Sequence, residues 1–261
     1  MNGKELRIKK FLDDKSNNIV MIPLDHGVTL GPVNGIKDMR HTIEELMNTD
    51  INGIVLHKGI VKANWDTLSR NVGLMIHLSA STELSPDVSF KTLVCTVEEA
   101  VKLGADGVSI HINLGSSYEA QMLNDLGLVS RKCEEWGMPL LAMMYIRGKE
   151  IRPNSYNTKF AARVAGELGA DFVKVDFTGD IESFQEVVDG CSIPVIIAGG
   201  EKEEKEETLL KNVEMAMEAG ARGVAYGRNV FQNKNPQTFA NRICEIVHKK
   251  YCYKKQFFSL S

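Results

Sequence analysis

Short apolar runs recur along the chain, separated by stretches whose apolar residues follow helical spacing. The runs are Asn18–Pro23, Ile51–Leu56, Gly73–Ile76, Gly107–Ile110, Pro139–Met144, Phe172–Val175, Pro194–Ala198 and Gly223–Tyr226. All are short and rich in Val, Ile, Leu or Met, as strands buried on both faces are. Of the helical stretches, Thr96–Gly104 opens on a Thr cap with Glu99 three residues on, and closes at glycine. Thr158–Leu168 and Leu209–Ala219 also run into glycines. Three helices pass through Gly-Ala into the next strand, at Gly104-Ala105-Asp106, Gly169-Ala170-Asp171 and Gly220-Ala221-Arg222. The glycine supplies a left-handed C-cap, and the small alanine permits a close turn.

A repeated helix, Gly-Ala, strand unit is βαβ architecture with a parallel sheet. Eight such units in a chain of this length predict a closed (β/α)₈ TIM barrel in a single α/β domain. The rival is an open doubly wound sheet. It usually has fewer strands and a glycine-rich dinucleotide turn after the first, and no GxGxxG occurs here. The barrel spans 18–250. Residues 1–17 form an N-terminal extension, with a helix over 3–14 that closes the bottom of the barrel. Residues 251–261 are a basic, aromatic tail, read as packing with an oligomer contact as the alternative. The run Glu201–Glu207 is a solvated loop and first helical turn.

Composition narrows the function classes. The 261 residues are 43% hydrophobic and 25% charged, with 31 basic against 34 acidic side chains and a formal net charge of -3. No general attraction to nucleic acid follows, and no zinc-finger spacing, RNP-like strand or basic stripe occurs. The five cysteines, at 95, 133, 191, 244 and 252, form no CxxC. They read as reduced structural thiols of a cytoplasmic protein. The N-terminal residues lack a signal-peptide core, and no run of apolar residues is long enough for a membrane span.

Chemistry in a barrel of this kind sits at the C-terminal ends of the strands. Those ends carry Asp25 with His26, His57 with Lys58, His77, His111, Tyr145 with Arg147, Lys174 with Asp176, Gly199-Gly200, and Gly227-Arg228. Four of the six histidines therefore gather at one rim. They and Asp25 are adequate metal ligands by type, but no ligand spacing such as HExxH supports a metal, and none is expected. Taken singly, a strand-end histidine is more often a hydrogen-bonded core or rim residue than a catalyst. Gly199, Gly200 and Gly227 leave backbone N–H groups bare at the last two strand ends, a common phosphate-binding placement in this fold, and Arg228 can add a bidentate contact.

Lys174 stands alone in Phe172-Val173-Lys174-Val175. A lysine in a buried strand either snorkels out or sits inside with its charge suppressed, and the free amine is the form that attacks a carbonyl. Pointing inward it reaches the barrel mouth, with Arg147 and Arg228 as nearby cations. An imine-forming lysine needs an acid or base beside it. Tyr145 and Asp25 end strands on the same rim: the phenol can donate and recover a proton, and the carboxylate can orient the amine or exchange a proton with it. The plainer readings are a Lys174–Asp176 pair, a Tyr145 bonded to backbone and an Asp25 pinning the first loop.

Several stretches together resemble the archaeal-type class I aldolases, the DhnA-like family. They are IPLDHGVTLGP (22–32), VLHKGIV (55–61), LMIHLSAST (74–82), GADGVSIHINLGS (104–116), EWGMPLLAMMYIRGK (135–149), GADFVKVDFTGD (169–180), PVIIAGG (194–200) and GVAYGRNVFQ (223–232). The resemblance implies a barrel enzyme that forms an imine through Lys174, with Asp25 and Tyr145 at the acid/base positions. It implies a sugar-phosphate site that includes Gly199, Gly200, Gly227 and Arg228, with His26, Lys58, His111, Arg147 and Asp176 as further substrate contacts. No cofactor is expected.

Within the family the likeness is nearest to the synthase branch. Those enzymes join a dihydroxyacetone-type fragment, from a phosphorylated ketose or from dihydroxyacetone phosphate, to L-aspartate semialdehyde. They serve aromatic amino acid synthesis or aminohydroxybenzoate precursors. A class I fructose-bisphosphate aldolase or another sugar-phosphate aldolase is the alternative. The expected partners are a phosphorylated sugar and a small aldehyde, and the expected assembly is a homo-oligomer, a ring-based decamer being common in the family. Two departures stand out. Ile146 replaces the proline usual before Arg-Gly, and Asp176-Phe177 replaces Ser/Thr-Tyr, which sets a carboxylate beside the lysine.

Overall fold

A computed structural model of the chain describes residues 3–148 and 151–249. Eight parallel strands close into a barrel: β1 (Ile19–Pro23), β2 (Gly53–Leu56), β3 (Gly73–His77), β4 (Gly107–Leu114), β5 (Leu140–Ile146), β6 (Phe172–Val175), β7 (Val195–Ala198) and β8 (Gly223–Ala225). Their order around the ring is β1-β8-β7-β6-β5-β4-β3-β2, with β1 also paired to β2. The predicted barrel is therefore correct. One strand is longer than expected: β4 continues through Leu114, so His111 lies within a strand and does not close one.

Side-chain alternation divides the strands between two cores. One set, including Ile54, Ile76, Ile110, Ala142, Val173 and Ile197, packs outward under the helices. The other, including Met21, Val55, Met75, Met143, Phe172 and Ile196, fills the barrel interior.

The bottom of that interior is plugged from outside the repeat. The N-terminal helix Gly3–Lys9 is shorter than the predicted 3–14, and the turns after it carry Phe11, fully buried, under the barrel. Three strands begin with glycine there. A Cβ would lie 2.6 Å from the Phe11 ring at Gly73, 3.0 Å at Gly53 and 3.1 Å at Gly107. The ring thus occupies space that three side chains would otherwise fill.

The Gly-Ala-Asp turns explain how this extension is fastened. Gly104 and Gly169 adopt φ of 80° and 85°, the left-handed cap expected of them. The aspartates that follow accept hydrogen bonds from the neighbouring strands: Leu74 N–H donates to Asp106 at 3.0 Å and Leu140 N–H to Asp171 at 2.8 Å. Their other oxygens hold the extension, Lys10 pairing with Asp106 at 2.7 Å and Lys4 with Asp171 at 2.9 Å. In the third turn Arg222 reaches Asn17 O at 2.7 Å.

The Thr96–Glu99 capping box is present, and the residues of the 201–207 run are largely exposed. Cys95, Cys133, Cys191 and Cys244 are free and buried. Cys252, Lys149 and the predicted 251–261 tail lie outside the described residues. Among the described residues no helix is long and apolar enough to cross a membrane.

Candidate active site

The barrel interior changes character as it rises. Lys174 is in register with Met143 of β5 and Ile196 of β7, both interior residues, so its side chain enters the barrel, where it is 6% exposed. Above the apolar layer opens a cavity of about 230 Å³. Its wall includes Asp25, His26, His57, His77, His111, Tyr145, Arg147, Lys174, Asp176, Gly199, Gly200, Gly227 and Arg228. All eight strands contribute, seven of them at or near their C-terminal ends and β4 through His111 within the strand.

Asp25 stands against two histidines, with His26 Nδ1 at 3.4 Å and His77 Nε2 at 3.8 Å. The opposite nitrogen of His77 is 2.8 Å from Ser109 Oγ on β4, which fixes the ring from behind. The His57 ring meets His77 edge-on at 5.4 Å between centroids. Tyr145 shares the cavity wall with Lys174 and is flanked by His111, 4.8 Å between centroids, and by Arg147, 5.2 Å from its ring centre. His111 Nε2 in turn is 2.9 Å from Asn113 Oδ1.

On the side of β7 and β8 the glycines have more than one physical reason. Gly200 holds φ of 66° with open space around it. A Cβ at Gly227 would strike the His26 ring at 2.4 Å and Pro23 O at 2.6 Å, and one at Gly199 would press the Tyr226 ring at 3.0 Å. Arg228 donates to Gly200 O at 3.0 Å, and Asn229 braces the same loop by donating to Gly199 O at 2.7 Å.

Lys58 requires a correction. It does not line the cavity, because its Nζ is held by Glu99 at 3.0 Å, at the capped start of the next helix. Several cavity residues escaped sequence reading, among them two that carry polar side chains on one hairpin. Lys91 and Ser81 belong to a hairpin between β3 and β4, whose arms Ser79–Ala80 and Thr92–Leu93 pair antiparallel. Nothing periodic in that segment marks them.

The profile described as "DeoC/LacD family aldolase" matches residues 19–233. The chain belongs to this aldolase family. The 2-amino-3,7-dideoxy-D-threo-hept-6-ulosonate synthase 1 of Archaeoglobus fulgidus is 44% identical over 248 residues, which are 95% of this chain and 92% of that protein. The 2-amino-4,5-dihydroxy-6-oxo-7-(phosphonooxy)heptanoate synthase of Streptomyces griseus is 37% identical over 251 residues, 94% and 90% of the two. An archaeal fructose-1,6-bisphosphate aldolase, solved with its catalytic Lys covalently bound to the carbinolamine intermediate, matches with a TM-score of 0.87 at 30% identity. That match covers 95% of this chain and 100% of that one. The enzyme is a class I aldolase.

The charges in this aldolase's mouth sort by burial. Burial opposes the ionisation of Asp25, but the fields of His77, His26, Lys174 and His57 outweigh it and hold the carboxyl well below the usual carboxylate range. Burial lowers all four cavity histidines, His77 to about 3 and His111 well below its ordinary value. Burial raises the Tyr145 phenol, Lys174 pulling the other way, and raises Asp176 against Arg147 and Lys174. Near neutral pH the site thus offers an ionised Asp25, neutral imidazoles and a protonated phenol. Among the described residues no group of three or more His, Cys, Asp or Glu is arranged to hold a metal ion.

Proposed function

We propose that the chain joins a dihydroxyacetone-type ketone to L-aspartate semialdehyde, through an imine on Lys174. The observation that carries this reading is a lysine buried inside the barrel, in a cavity shared with Tyr145 and Asp25. In the forward direction the free amine attacks the ketone carbon and the carbinolamine loses water. The iminium then gives up an α-proton, and the resulting enamine carbon attacks the aldehyde. The aldehyde oxygen takes a proton, and water releases the product and restores the lysine.

Tyr145, protonated in the resting site, suits proton donation to the forming hydroxyl and recovery of that proton. Asp25, ionised, suits orienting the amine or taking a proton from it. Asp176 supports the positive charge of the iminium or receives a substrate amine. Gly199, Gly200, Gly227 and Arg228 form the phosphate side of the site, while His26, His111 and Arg147 complete the substrate wall.

The choice of acceptor comes from the relatives' products. Cutting either named seven-carbon product between C4 and C5 by a retro-aldol step leaves the same four-carbon amino-acid aldehyde. The three-carbon halves differ: one ends in a deoxy carbon, the other in a phosphonooxy carbon. Both readings keep the acceptor constant. The runner-up, a fructose-bisphosphate aldolase, draws on the structural match and would take glyceraldehyde 3-phosphate instead. The same reading extends to a cytoplasmic homo-oligomer, a decamer in its common form.

Borohydride reduction with dihydroxyacetone phosphate or hydroxyacetone, followed by peptide mass mapping, tests the imine. An adduct on Lys174 is expected, and an unmodified Lys174 with both ketones overturns the reading. Competition between L-aspartate semialdehyde and glyceraldehyde 3-phosphate for the unreduced, lysine-bound donor tests the acceptor. Preferential consumption of glyceraldehyde 3-phosphate would replace this reading with the glycolytic one.

A further inference from the structure

The barrel order sets two parts of the mouth against each other. In a ring of eight, β3 is four strands from β7 in either direction. The glycine loop of β7 with Arg228 therefore faces, across Lys174, the hairpin that follows β3. That hairpin is pinned over the cavity. Ser79 Oγ accepts from His111 N–H at 3.1 Å, Ser89 O from the Asn113 amide at 2.7 Å, and Thr29 O from Glu83 N–H at 3.1 Å.

Lys91 comes down from the hairpin into the cavity wall, half-buried, and its amine donates to Ser81 Oγ at 2.5 Å. Among the described residues no carboxylate forms a salt bridge with it. Arg147, the other cation on this side, acts electrostatically on Asp176, whereas the charges felt at Lys91 are those of Asp25 and of Arg147 itself. Holding an ammonium group in a partly dry wall without a bonded carboxylate is unfavourable unless an anion arrives to meet it.

We infer that Lys91 binds the carboxylate of the acceptor aldehyde and sets the enzyme's preference for a carboxylate-bearing acceptor. This rests on the acceptor proposed above. One ammonium with one neighbouring hydroxyl balances a monoanion held through donated hydrogen bonds, whereas the clustered backbone N–H groups of Gly199, Gly200 and Gly227, with the Arg228 fork, that suit a phosphate lie on the opposite side, and Arg147 on this side faces Asp176. Extended across the mouth, the growing product has its ketone end under Arg228 and its carboxylate end under the hairpin, with the new bond above Lys174.

The test compares K91M and K91R with the parent enzyme, using dihydroxyacetone phosphate as donor. Three acceptors are offered: L-aspartate semialdehyde, glyceraldehyde 3-phosphate and butanal, which has four carbons and no charge. For K91M, kcat/KM for L-aspartate semialdehyde is expected to fall by about 30- to 100-fold, mostly through KM. For butanal the change stays under about 3-fold, K91R recovers part of the loss, and the yield of borohydride-trapped donor stays within about 2-fold of the parent.

An equal loss with butanal, or no loss at all, overturns the assignment. So does an equal loss for glyceraldehyde 3-phosphate, since Lys91 would then belong to a phosphate subsite. A fall in trapped donor would move Lys91 to the donor side and also overturn it. Absence of trapped donor in the parent enzyme, by contrast, defeats the imine reading itself and this assignment with it.

Discussion

The two ends of one barrel interior solve opposite problems with the same strands. At the bottom, Gly53, Gly73 and Gly107 give up their side-chain volume to a single phenyl ring from outside the repeat. At the top, the interior positions four residues further along carry His57, His77 and His111, with Tyr145 and Lys174 alongside. The lower end is dry and filled, and it serves stability. The upper end keeps a polar cavity and holds titratable groups away from water, at a cost in stability that the lower end offsets. The difference teaches that position along a strand, more than residue type, decides whether an interior side chain packs or reacts.

Two substitutions separate the ends most sharply. Lys174→Met should abolish borohydride-trapped adducts and lower turnover by about 10⁴-fold or more, with an unfolding midpoint no lower than the parent's, since an apolar chain replaces a buried amine. Turnover within about 10-fold of the parent would remove Lys174 from the chemistry. Phe11→Ala should act the other way. Emptying a fully buried ring site costs about 3–5 kcal/mol in urea unfolding, while adduct formation by the folded fraction is retained. A loss of adduct as large as the loss of stability would show that the two ends are not separable.

A smaller effect divides the upper end itself. Tyr145→Phe keeps the ring against His111 and Arg147 but removes the hydroxyl, so packing is preserved. Turnover should fall by about 10²-fold, the usual worth of one positioned acid or base, while the donor remains trappable on Lys174. Unchanged turnover would return Tyr145 to a structural role.

Much of this was legible in the chain, for reasons that can be named. Lys174 shares its face with Phe172, opposite Val173 and Val175, and the choice of the inward face rested on the difficulty of carrying a lysine outward across the helix layer. The left-handed caps at Gly104 and Gly169 followed from local backbone chemistry. The length of β4 was also written there, since Ile110-His111-Ile112-Asn113-Leu114 alternates strictly past the predicted end.

Other features depended on partners far away in sequence. Lys58 follows a strand end, yet Glu99, 41 residues on, decides where its amine points. Phe11 is an ordinary helix-end residue until three distant glycines meet above it. Lys91 sits in an insertion outside the βα repeat, where neither period nor motif signals its approach to the cavity.

The smallest effect tests how the upper end tolerates acid. His77 titrates at about 3 in the folded protein, because burial disfavours its charged form more than Asp25 favours it. In the unfolded chain it titrates near 6.5, so below that pH the unfolded chain binds a proton that the folded chain refuses. Stability is therefore complete above about pH 6.5 and drains away as pH falls toward 3, by about 2 kcal/mol at pH 5 from this ring alone.

His26, His57 and His111 are lowered in the same direction and add to the slope, and Asp25 adds to it at still lower pH. Urea midpoints measured near pH 7 and near pH 5 should differ strongly in the parent and by about 2 kcal/mol less in His77→Gln, which has no imidazole to protonate. Phe11→Ala, changed at the other end, should lose the same amount at both pH values. Parallel pH dependence in the parent and His77→Gln would mean that Ser109 and Asp25 stabilise the imidazolium, and that the upper end is wetter than its burial implies.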